Sequence, residues 1–409
     1  KDLTLEEAII LAGIPKNPSG YNPVNNYEAS VNRAKVVAKA MLNNKYIDEA
    51  TYNNLYKEKI EIYGQNKTNN LQMVMYYQEA VLKELNNIKE IPTSLINSGG
   101  LKIYTNLDME MQKNMEDAIL SKKSDDEVQV ASVVVNPDTG EVRALTGGID
   151  YAKSQYNRAL KSKRQVGSTM KPFLYYAALE NNMTMASTFR SEETTFNLSN
   201  GKTYSPSNAG GIYASKEITM AAALSLSDNI YAVKTNLFLG VDKMIDVAKR
   251  TGINEELQGV ASLPLGTSEI NILDFATGYN TFATGGYKKD LYFIRKVTDL
   301  DGNVLYEHED KKDLVINPNY TYILNEALTS TTNDYTTPTA LNISGSLTHK
   351  YAIKTGSTNT DYWIVGYNPD ALVMMWMGYD DNRECDKSVR NQAKKIWAEV
   401  IEDATKDKD

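Results

Sequence analysis

Two serine–lysine pairs in the chain have a spacing that lets a lysine act as the base for a serine nucleophile. Residues 168–171 read Ser-Thr-Met-Lys, and residues 199–202 read Ser-Asn-Gly-Lys. At the start of a helix, this spacing puts the lysine one turn from the serine on the same face. The serine N–H is then a free donor of the helix N-terminus and supplies half of an oxyanion hole. Such a unit could carry out acyl transfer.

Local sequence favours the first pair, Ser168 and Lys171. Gly167 precedes it and an apolar stretch follows, opened by Pro172, which is tolerated only near the start of a helix. The second pair contains Gly201 in a polar stretch where a helix is not expected. Taken alone, an S-x-x-K match is more often a capping serine beside a solvated lysine.

A lysine that acts as a base must be neutral, so its pKa has to be lowered by burial or by a neighbouring cation. Lys354 supplies such a cation in the chain's single K-[ST]-G match, which continues through Thr355, Gly356 and Ser357. Gly356 on the predicted strand lets a ligand approach the backbone. Thr355 and Ser357 offer hydroxyls to a carboxylate, and the Ser357 N–H could complete the oxyanion hole. The alternative is an ordinary strand ending in a turn.

A third element, Ser227-Asp228-Asn229, follows an Ala-rich stretch predicted as helix over residues 218–226. The S-x-N pattern also occurs at Ser30 and Ser357, so the pattern itself is common. Its position between the other two elements favours a relay in which the Ser227 hydroxyl points toward Lys171 and Asn229 binds a substrate amide. The order of the three elements within one predicted domain carries the hypothesis.

Other catalytic classes are poorly supported. The chain has two histidines, His308 and His349, and one cysteine, Cys385, too few for a usual His/Cys zinc site. No G-x-S-x-G elbow occurs, so a Ser–His–Asp triad is the weaker hypothesis and both histidines are interpreted as ordinary surface or boundary residues. With 44 Lys and Arg against 52 Asp and Glu, the net charge of −8 and the absence of a basic block exclude an electrostatic case for nucleic acid.

The elements that must position these residues fall into three predicted regions of the 409-residue chain. Residues 1–62 are helical, with a capping box at Thr4 and Glu7, and residues 63–127 are assigned a structural role after an Asn-rich break at 65–70. Residues 128–409 form the predicted α/β domain, with a hairpin at its start, three strands near its end and a final helix. The predicted elements are residues 128–136, 141–145, 351–354, 362–367, 371–378 and 391–404. They indicate an antiparallel sheet covered by helices.

Targeting signals are not evident in the sequence. No apolar run approaches the roughly 20 residues that span a bilayer, and the chain begins with Lys1 rather than Met. We therefore expect a fragment of a longer protein, with any anchor upstream.

The residues around the three motifs resemble the transpeptidase domain of penicillin-binding proteins, for which S-x-x-K, S-D-N and K-T-G are a signature. Residues 5–23 are similar to the end of the glycosyltransferase domain of the bifunctional, class A members, and residues 99–108 to the segment that joins their two catalytic domains. The similar stretches in the third region are Arg158, Gln165 and residues 167–173, 265–269, 279–286, 354–358 and 361–367. Ile353 stands where the family usually has Gly, and residues 331–350 match loosely.

The resemblance implies the penicillin-binding transpeptidase or serine β-lactamase-like fold, with helices on both faces of the sheet. It divides the chain into a glycosyltransferase remnant at 1–62, an interdomain linker region at 63–127 and a transpeptidase domain at 128–409. The glycosyltransferase's catalytic glutamates would precede Lys1, so the fragment should not polymerise glycan. The fragment should be soluble, and its full-length parent anchored on the extracellular face of the bacterial cytoplasmic membrane.

The resemblance also implies the reaction and its partners: peptidoglycan stem peptides, with a D-Ala-D-Ala donor and an amine acceptor, and β-lactams as covalent inhibitors. Ser168 would be the nucleophile, Lys171 the base and Ser227 the relay. Lys354, Thr355, Gly356 and Ser357 would form the strand that binds the donor's terminal carboxylate, and Asn229 would bind its amide. No metal or cofactor is implied.

Three alternatives remain open at the level of sequence. A β-lactamase would need a base for its deacylating water, and no convincing E-x-x-L-N-type segment follows Ser227. A penicillin sensor would be acylated without turnover, and an unrelated α/β esterase would use Ser168 only as a helix cap.

Overall fold

The computed structural model of the chain describes residues 3–24, 26–57, 60, 72–123, 127–198, 201–332 and 338–406. The chain divides into two units, Lys1–Leu71 and Gln72–Asp409. The predicted Asn-rich break at 65–70 and Ser199 of the second S-x-x-K pair lie outside the described residues. Within the described ranges, no helix combines the length and the apolar character required to cross a bilayer.

The first unit is helical, with α1 (Leu5–Gly13), α2 (Tyr27–Asn43) and α3 (Glu49–Asn54). The predicted capping box is present, because the Glu7 N–H donates to Thr4 Oγ1 at 3.2 Å and the Thr4 N–H donates to Glu7 Oε2 at 2.7 Å. A small core forms between α1 and α2 around buried Ile9, Ile10 and Ala34.

The second unit contains the remaining helices and all the strands that the structure describes. Its helices are α4 (Val74–Asn87), α5 (Thr93–Ser98), α6 (Met109–Lys122), α7 (Arg158–Lys161), α8 (Lys171–Glu180), α9 (Met220–Leu226), α10 (Asn229–Leu239), α11 (Val241–Thr251), α12 (Ile272–Ala283), α13 (Pro318–Thr329) and α14 (Lys387–Thr405). Its strands are β1 (Leu101–Thr105), β2 (Gln129–Val135), β3 (Val142–Thr146), β4 (Arg164–Gln165), β5 (Thr188–Ser191), β6 (Phe196–Asn197), β7 (Thr203–Tyr204), β8 (Lys216–Thr219), β9 (Glu269–Ile270), β10 (Tyr287–Lys288), β11 (Ile294–Asp299), β12 (Val304–Glu307), β13 (Asp313–Leu314), β14 (Ala352–Ser357), β15 (Asp361–Tyr367) and β16 (Leu372–Gly378).

The largest sheet has five strands in the order β14-β15-β16-β2-β3, and every neighbouring pair is antiparallel. The predicted hairpin at the start of the domain is β2–β3, closed by a turn in which Gly140 has a φ of +79°. The predicted terminal strands form the meander β14–β15–β16, and β16 pairs with β2 to join the two ends of the domain. The sequence prediction of an antiparallel sheet is therefore confirmed.

Helices cover both faces of this sheet, as the fold class requires. Gly366 of β15 faces α14, where a Cβ on this glycine would lie 2.4 Å from Trp397. Trp363, three positions away and therefore on the opposite face, packs edge-on against Phe275 of α12. A continuous sandwich of helix, sheet and helix thus forms the core of the second unit.

Residues before the sheet also belong to the second unit. Strand β1 pairs antiparallel with β11, and β11 pairs with β12 to form a smaller sheet. Helix α6 contacts α14 and β3, while α4 buries Tyr76 and Tyr77 in the same core as the large sheet. The assignment of residues 63–127 as an interdomain linker region stays a prediction; residues 72–123 pack as an integral part of this unit.

One boundary near the site differs from the sequence prediction. Residues 218–226 were expected to be helical, but β8 runs through Thr219 and α9 begins at Met220. The reason is the cap: the Thr219 hydroxyl accepts a hydrogen bond from the Ala222 N–H at 3.2 Å and so starts the helix two residues late.

Candidate active site

The candidate nucleophile lies in a tight turn that leads into a buried helix. Ser168 is in the 3₁₀ turn Gly167–Met170, and Lys171 begins α8 with Pro172 in its first turn. The Lys171 N–H donates to the Ser168 carbonyl, which sets the two residues one turn apart. Ser168 is partly exposed, whereas Lys171 is fully buried. A ligand can therefore reach the serine while the lysine stays out of water.

The three motifs predicted from the sequence meet at the Ser227 hydroxyl. Lys171 Nζ donates to the Ser227 carbonyl at 2.6 Å, and lies 3.2 Å from Ser227 Oγ and 2.7 Å from Asn229 Oδ1. Lys354 Nζ on β14 donates to the same Ser227 Oγ at 2.9 Å and to the Thr355 carbonyl at 2.8 Å. One hydroxyl thus bridges two lysine amines that come from different elements.

Ser227 reaches this position through an unusual backbone conformation. It ends α9 with φ 57° and ψ 42°, in the left-handed region that non-glycine residues adopt at some energetic cost. Asp228 then caps α10, accepting a hydrogen bond from the Tyr231 N–H at 2.8 Å. The sharp helix–helix turn points both the Ser227 and Asn229 side chains at Lys171.

Burial and like charge lower the pKa of both lysines. Lys171 and Lys354 have no exposed surface. The pKa of Lys171 lies well below its usual value, mainly through burial and then through the charge of Lys354, although Asp228 acts in the opposite direction. Burial lowers the pKa of Lys354 to about 7. A neutral Lys171 amine near neutral pH is the state that a general base requires.

Close glycine contacts hold the nucleophile turn against its neighbours. Gly167, at φ +58°, lies so near β14 that a Cβ would be 2.9 Å from the Ser357 nitrogen. A Cβ on Gly266 would be 2.0 Å from the Gly167 carbonyl oxygen, and one on Gly356 would be 2.5 Å from the Val166 oxygen. Backbone therefore packs directly on backbone on both sides of Ser168.

The remaining residues of the K-T-G segment line β14 beside this turn. Lys354 and Thr355 are buried within the strand, and Ser357 is exposed at its end. The Ser357 nitrogen lies against the Gly167 segment, where the sequence analysis expects the second oxyanion donor. The strand thus presents a backbone N–H and a hydroxyl next to the nucleophile turn.

Sequence reasoning gave no role to several residues that support the cluster. Asp228 is buried and accepts hydrogen bonds from Ser191 Oγ at 2.5 Å and from Asn208 Nδ2 at 2.7 Å. The Tyr279 hydroxyl donates to the Thr169 carbonyl at 2.5 Å, beneath the nucleophile turn. Asp228 could have been found as the capping residue before a helix, but nothing in the single sequence marks Asn208.

The histidines make their contacts elsewhere in the second unit. The His308 ring stacks on Tyr292 with 3.4 Å between ring centroids, and His349 Nδ1 lies 3.0 Å from Thr348 Oγ1. Cys385 is a buried free thiol that donates to the Thr360 carbonyl. In the ranges that the structure covers, no group of three or more acidic, His or Cys side chains could hold a metal.

The sequence model of the penicillin binding protein transpeptidase domain matches residues 130–402, a range that includes all three motifs. The chain belongs to this family. A transglycosylase model matches residues 1–42, ahead of the transpeptidase domain. The resemblance to class A penicillin-binding proteins is therefore confirmed on both parts of the chain.

Individual relatives and structures agree with this family. Penicillin-binding protein 2D of Bacillus subtilis is 39% identical over 413 residues, covering 99% of this chain and 60% of that protein. Penicillin-binding protein 1B of Vibrio cholerae is 28% identical, covering 98% and 52%. The chain thus spans roughly half to three-fifths of these relatives.

Solved structures show the same fold. The crystal structure of penicillin-binding protein 1A from Haemophilus influenzae has a TM-score of 0.84 at 22% identity, covering 100% of this chain and 81% of that one. The PonA1 protein of Mycobacterium tuberculosis in complex with penicillin V has a TM-score of 0.70 at 24% identity, covering 81% and 93%. The predicted penicillin-binding transpeptidase fold is confirmed.

Proposed function

We propose that this chain is a D,D-transpeptidase that crosslinks peptidoglycan stem peptides through an acyl-enzyme on Ser168. The observation that carries the proposal is the Ser227 hydroxyl bridging two buried lysines beside a partly exposed serine. This arrangement offers an accessible hydroxyl as nucleophile, a lysine of lowered pKa as base and a hydroxyl between the two lysines as a path for a proton.

Acylation begins with the neutral amine of Lys171. The amine takes the proton of the Ser168 hydroxyl as Oγ attacks the carbonyl carbon of the donor's penultimate D-alanine. The N–H groups of Ser168 and Ser357 hold the resulting oxyanion. When the peptide C–N bond breaks, the proton passes from Lys171 through Ser227 to the leaving nitrogen, so D-alanine departs and an ester remains on Ser168.

Deacylation reverses these proton movements with a different amine. The amine of a neighbouring stem peptide attacks the ester carbon, and Lys171 accepts its proton. The C–O bond of the ester breaks, Ser168 Oγ recovers a proton, and the new peptide bond is the crosslink. Water in place of the amine would give D,D-carboxypeptidase side activity.

Donor recognition falls to the strand and to the S-D-N turn. Lys354, Thr355 and Ser357 bind the terminal carboxylate of the donor. The space beside Gly356, expected from the sequence to admit a ligand, is instead occupied by Val166 and Thr169 of the nucleophile segment, so this glycine serves their packing on β14. Asn229 binds the donor's peptide amide. In the free structure its Oδ1 accepts from Lys171 and its Nδ2 donates to the Ser207 carbonyl at 2.7 Å, so both ends of the amide are already oriented.

β-Lactams imitate this donor, so we propose that they acylate Ser168 and remain bound as inhibitors. The relative whose structure holds penicillin V and another whose structure is an imipenem acyl-enzyme complex share this fold, which supports the proposal. We propose further that this chain does not itself polymerise glycan, since the transglycosylase match covers residues 1–42 only. The full protein would act at the extracellular face of the cytoplasmic membrane, held by an anchor.

Labelling with a fluorescent penicillin tests acylation at Ser168. Wild type and Ser199→Ala, the matched change at the other S-x-x-K serine, should carry a stable label, while Ser168→Ala should carry none. Label that persists in Ser168→Ala would contradict the proposal. Rapid loss of label from wild type would instead favour a β-lactamase.

A further inference from the structure

The loop that follows β7 contacts the S-D-N turn through the Ser207 carbonyl and through the side chain of Asn208. Asn208 is buried, with 9% of its surface exposed, although the residues on either side of it are exposed. Its Oδ1 accepts hydrogen bonds from the Asn229 N–H at 2.8 Å and the Ile230 N–H at 3.4 Å. Its Nδ2 donates to Asp228 Oδ2 at 2.7 Å and to the Ile212 carbonyl at 3.0 Å. One amide thus satisfies four partners.

These contacts complete the hydrogen bonding of the turn. At the N-terminus of α10, the first N–H groups lack partners within the helix. Asn208 satisfies those of Asn229 and Ile230, while Asp228 satisfies that of Tyr231. The Asn208 Nδ2 group and the Ser191 hydroxyl both donate to Oδ2 of the buried Asp228. Removing Asn208 therefore takes one hydrogen-bond donor from the buried Asp228 side chain and the side-chain acceptor from the Asn229 and Ile230 N–H groups.

We propose that Asn208 is a positioning residue for the transpeptidase reaction, which holds Asn229 and Ser227 in register with Lys171. Its side chain hydrogen-bonds to residues 212 and 228–230 rather than to Ser168 or Lys171, so it acts through Asp228 and Asn229. The inference rests on the proposed function, because the geometry it preserves matters only if Lys171 serves Ser168.

The charges that act on this network come from three elements. Lys171 and Tyr175 on α8 interact electrostatically with Asp228, and Lys354 on β14 faces Lys171. Tyr231 on α10 adjoins the same carboxylate and also contacts Tyr175. A change of charge at position 208 therefore alters the electrostatic environment of Lys171 as well as that of the S-D-N turn.

The test is the rate of Ser168 acylation by a fluorescent penicillin, measured against pH and scaled to folded protein. Asn208→Ala should slow acylation roughly tenfold or more at every pH, because buried groups lose their partner. Ile212→Ala, which shortens an exposed side chain of the same loop and leaves the hydrogen bonds intact, should acylate at the wild-type rate.

Asn208→Asp gives a result that a general loss of stability would not produce. The new carboxyl would face Asp228 at hydrogen-bond distance, and two such groups hold one proton between them at low pH. That proton replaces the amide donor, so acylation should approach wild type at low pH and fall as the proton is lost. The double variant Asn208→Asp with Asp228→Asn restores a donor–acceptor pair. Its acylation rate should therefore no longer show the fall at higher pH that the shared proton causes in Asn208→Asp.

Each outcome decides the inference. Wild-type rates in Asn208→Ala, or an Asn208→Asp profile parallel to wild type, would overturn it while leaving the proposed function intact. Label that persists after Ser168→Ala would instead overturn the proposed function. If Asn208→Ala does not fold, the profiles of Asn208→Asp and the double variant still decide the question.

Discussion

At the scale of single residues, the chemistry depends on keeping two lysine amines close together. Lys171 Nζ and Lys354 Nζ lie 3.2 and 2.9 Å from Ser227 Oγ. Two fully protonated ammonium groups so near each other would repel in a site without water. Burial and mutual repulsion therefore favour the state in which one amine, that of Lys171, is neutral.

The acylation rate should fall at low pH as Lys171 becomes protonated, which gives its pH profile an acid limb. Replacing Lys354 by Met should move this acid limb to higher pH, by about one unit. The cation at 354 disfavours protonation of Lys171, so its removal raises the pKa of Lys171 and leaves less neutral base at a given pH. The measurement is the pH profile of penicillin acylation. Lys394→Met, at a partly buried lysine of α14, should leave the limb in place. An acid limb that stayed fixed or moved down in Lys354→Met would contradict this account.

At the scale of elements, three backbone segments meet at the nucleophile turn. The segment at Gly266 packs tightly against this turn, and the Gly266 carbonyl accepts a hydrogen bond from the Gly167 N–H at 3.2 Å. Because these contacts are between backbones, any side chain here displaces the turn rather than rotating away.

Gly266→Ala should therefore abolish most of the acylation and destabilise the fold by about 2 kcal/mol or more. The new Cβ would meet the Gly167 backbone at 2.0–2.5 Å. Gly285→Ala is the matched control, since it has a similar φ of +74° but open space around the Cβ. It should lose only the roughly 1 kcal/mol of left-handed strain and acylate normally. Denaturant unfolding and penicillin labelling measure both effects, and equal losses in the two variants would refute the packing explanation.

Element prediction succeeded where a local signal was strong. Pro172 after Ser168 predicted the helix start, and two apolar, β-branched runs joined by the 137–140 turn predicted β2 and β3. Helix α14 begins at Lys387, four residues before the predicted start at residue 391, because the Asp386 side chain caps it by accepting from the Val389 N–H. Polar residues in the first turn hide such a start from a search for apolar periodicity.

Long-range contacts of the site could not be predicted from one sequence. The meeting of Lys171, Ser227 and Lys354 depends on how α8, the turn before α10 and β14 pack, and motif order suggests it without fixing a distance. Asn208 gave no signal, because its role comes from a partner 21 residues away, beyond β8 and α9. The close packing of Gly266 on the Gly167 backbone is likewise evident only from the three-dimensional structure.

At the scale of the whole molecule, the second unit extends well beyond the strands and helices that bear the motifs. Residues 72–123 add β1 to the β11–β12 sheet and bury Tyr76, Tyr77, Met115 and Ile119 in the core of the large sheet. Residues 1–71 form their own unit with a separate small core.

A chain that begins at Gln72 should therefore fold and label with penicillin at the wild-type rate. A chain that begins at Val128 should be unstable, because each large buried side chain it loses contributes about 1.5–3 kcal/mol and β11 loses one of its two partner strands. Thermal unfolding of the two chains checks this expectation. Equal stability of both would show that residues 72–127 are a dispensable linker.

The central claim is transpeptidation at Ser168, and product analysis tests it most directly. The protein would be incubated with a peptide ending in D-Ala-D-Ala and an excess of an amine acceptor, and the products followed by mass spectrometry. We predict a product in which the acceptor has replaced the terminal D-alanine, formed by wild type and Ser199→Ala and missing from Ser168→Ala. Formation of that product by Ser168→Ala, or its absence from wild type that retains a penicillin label, would contradict the claim.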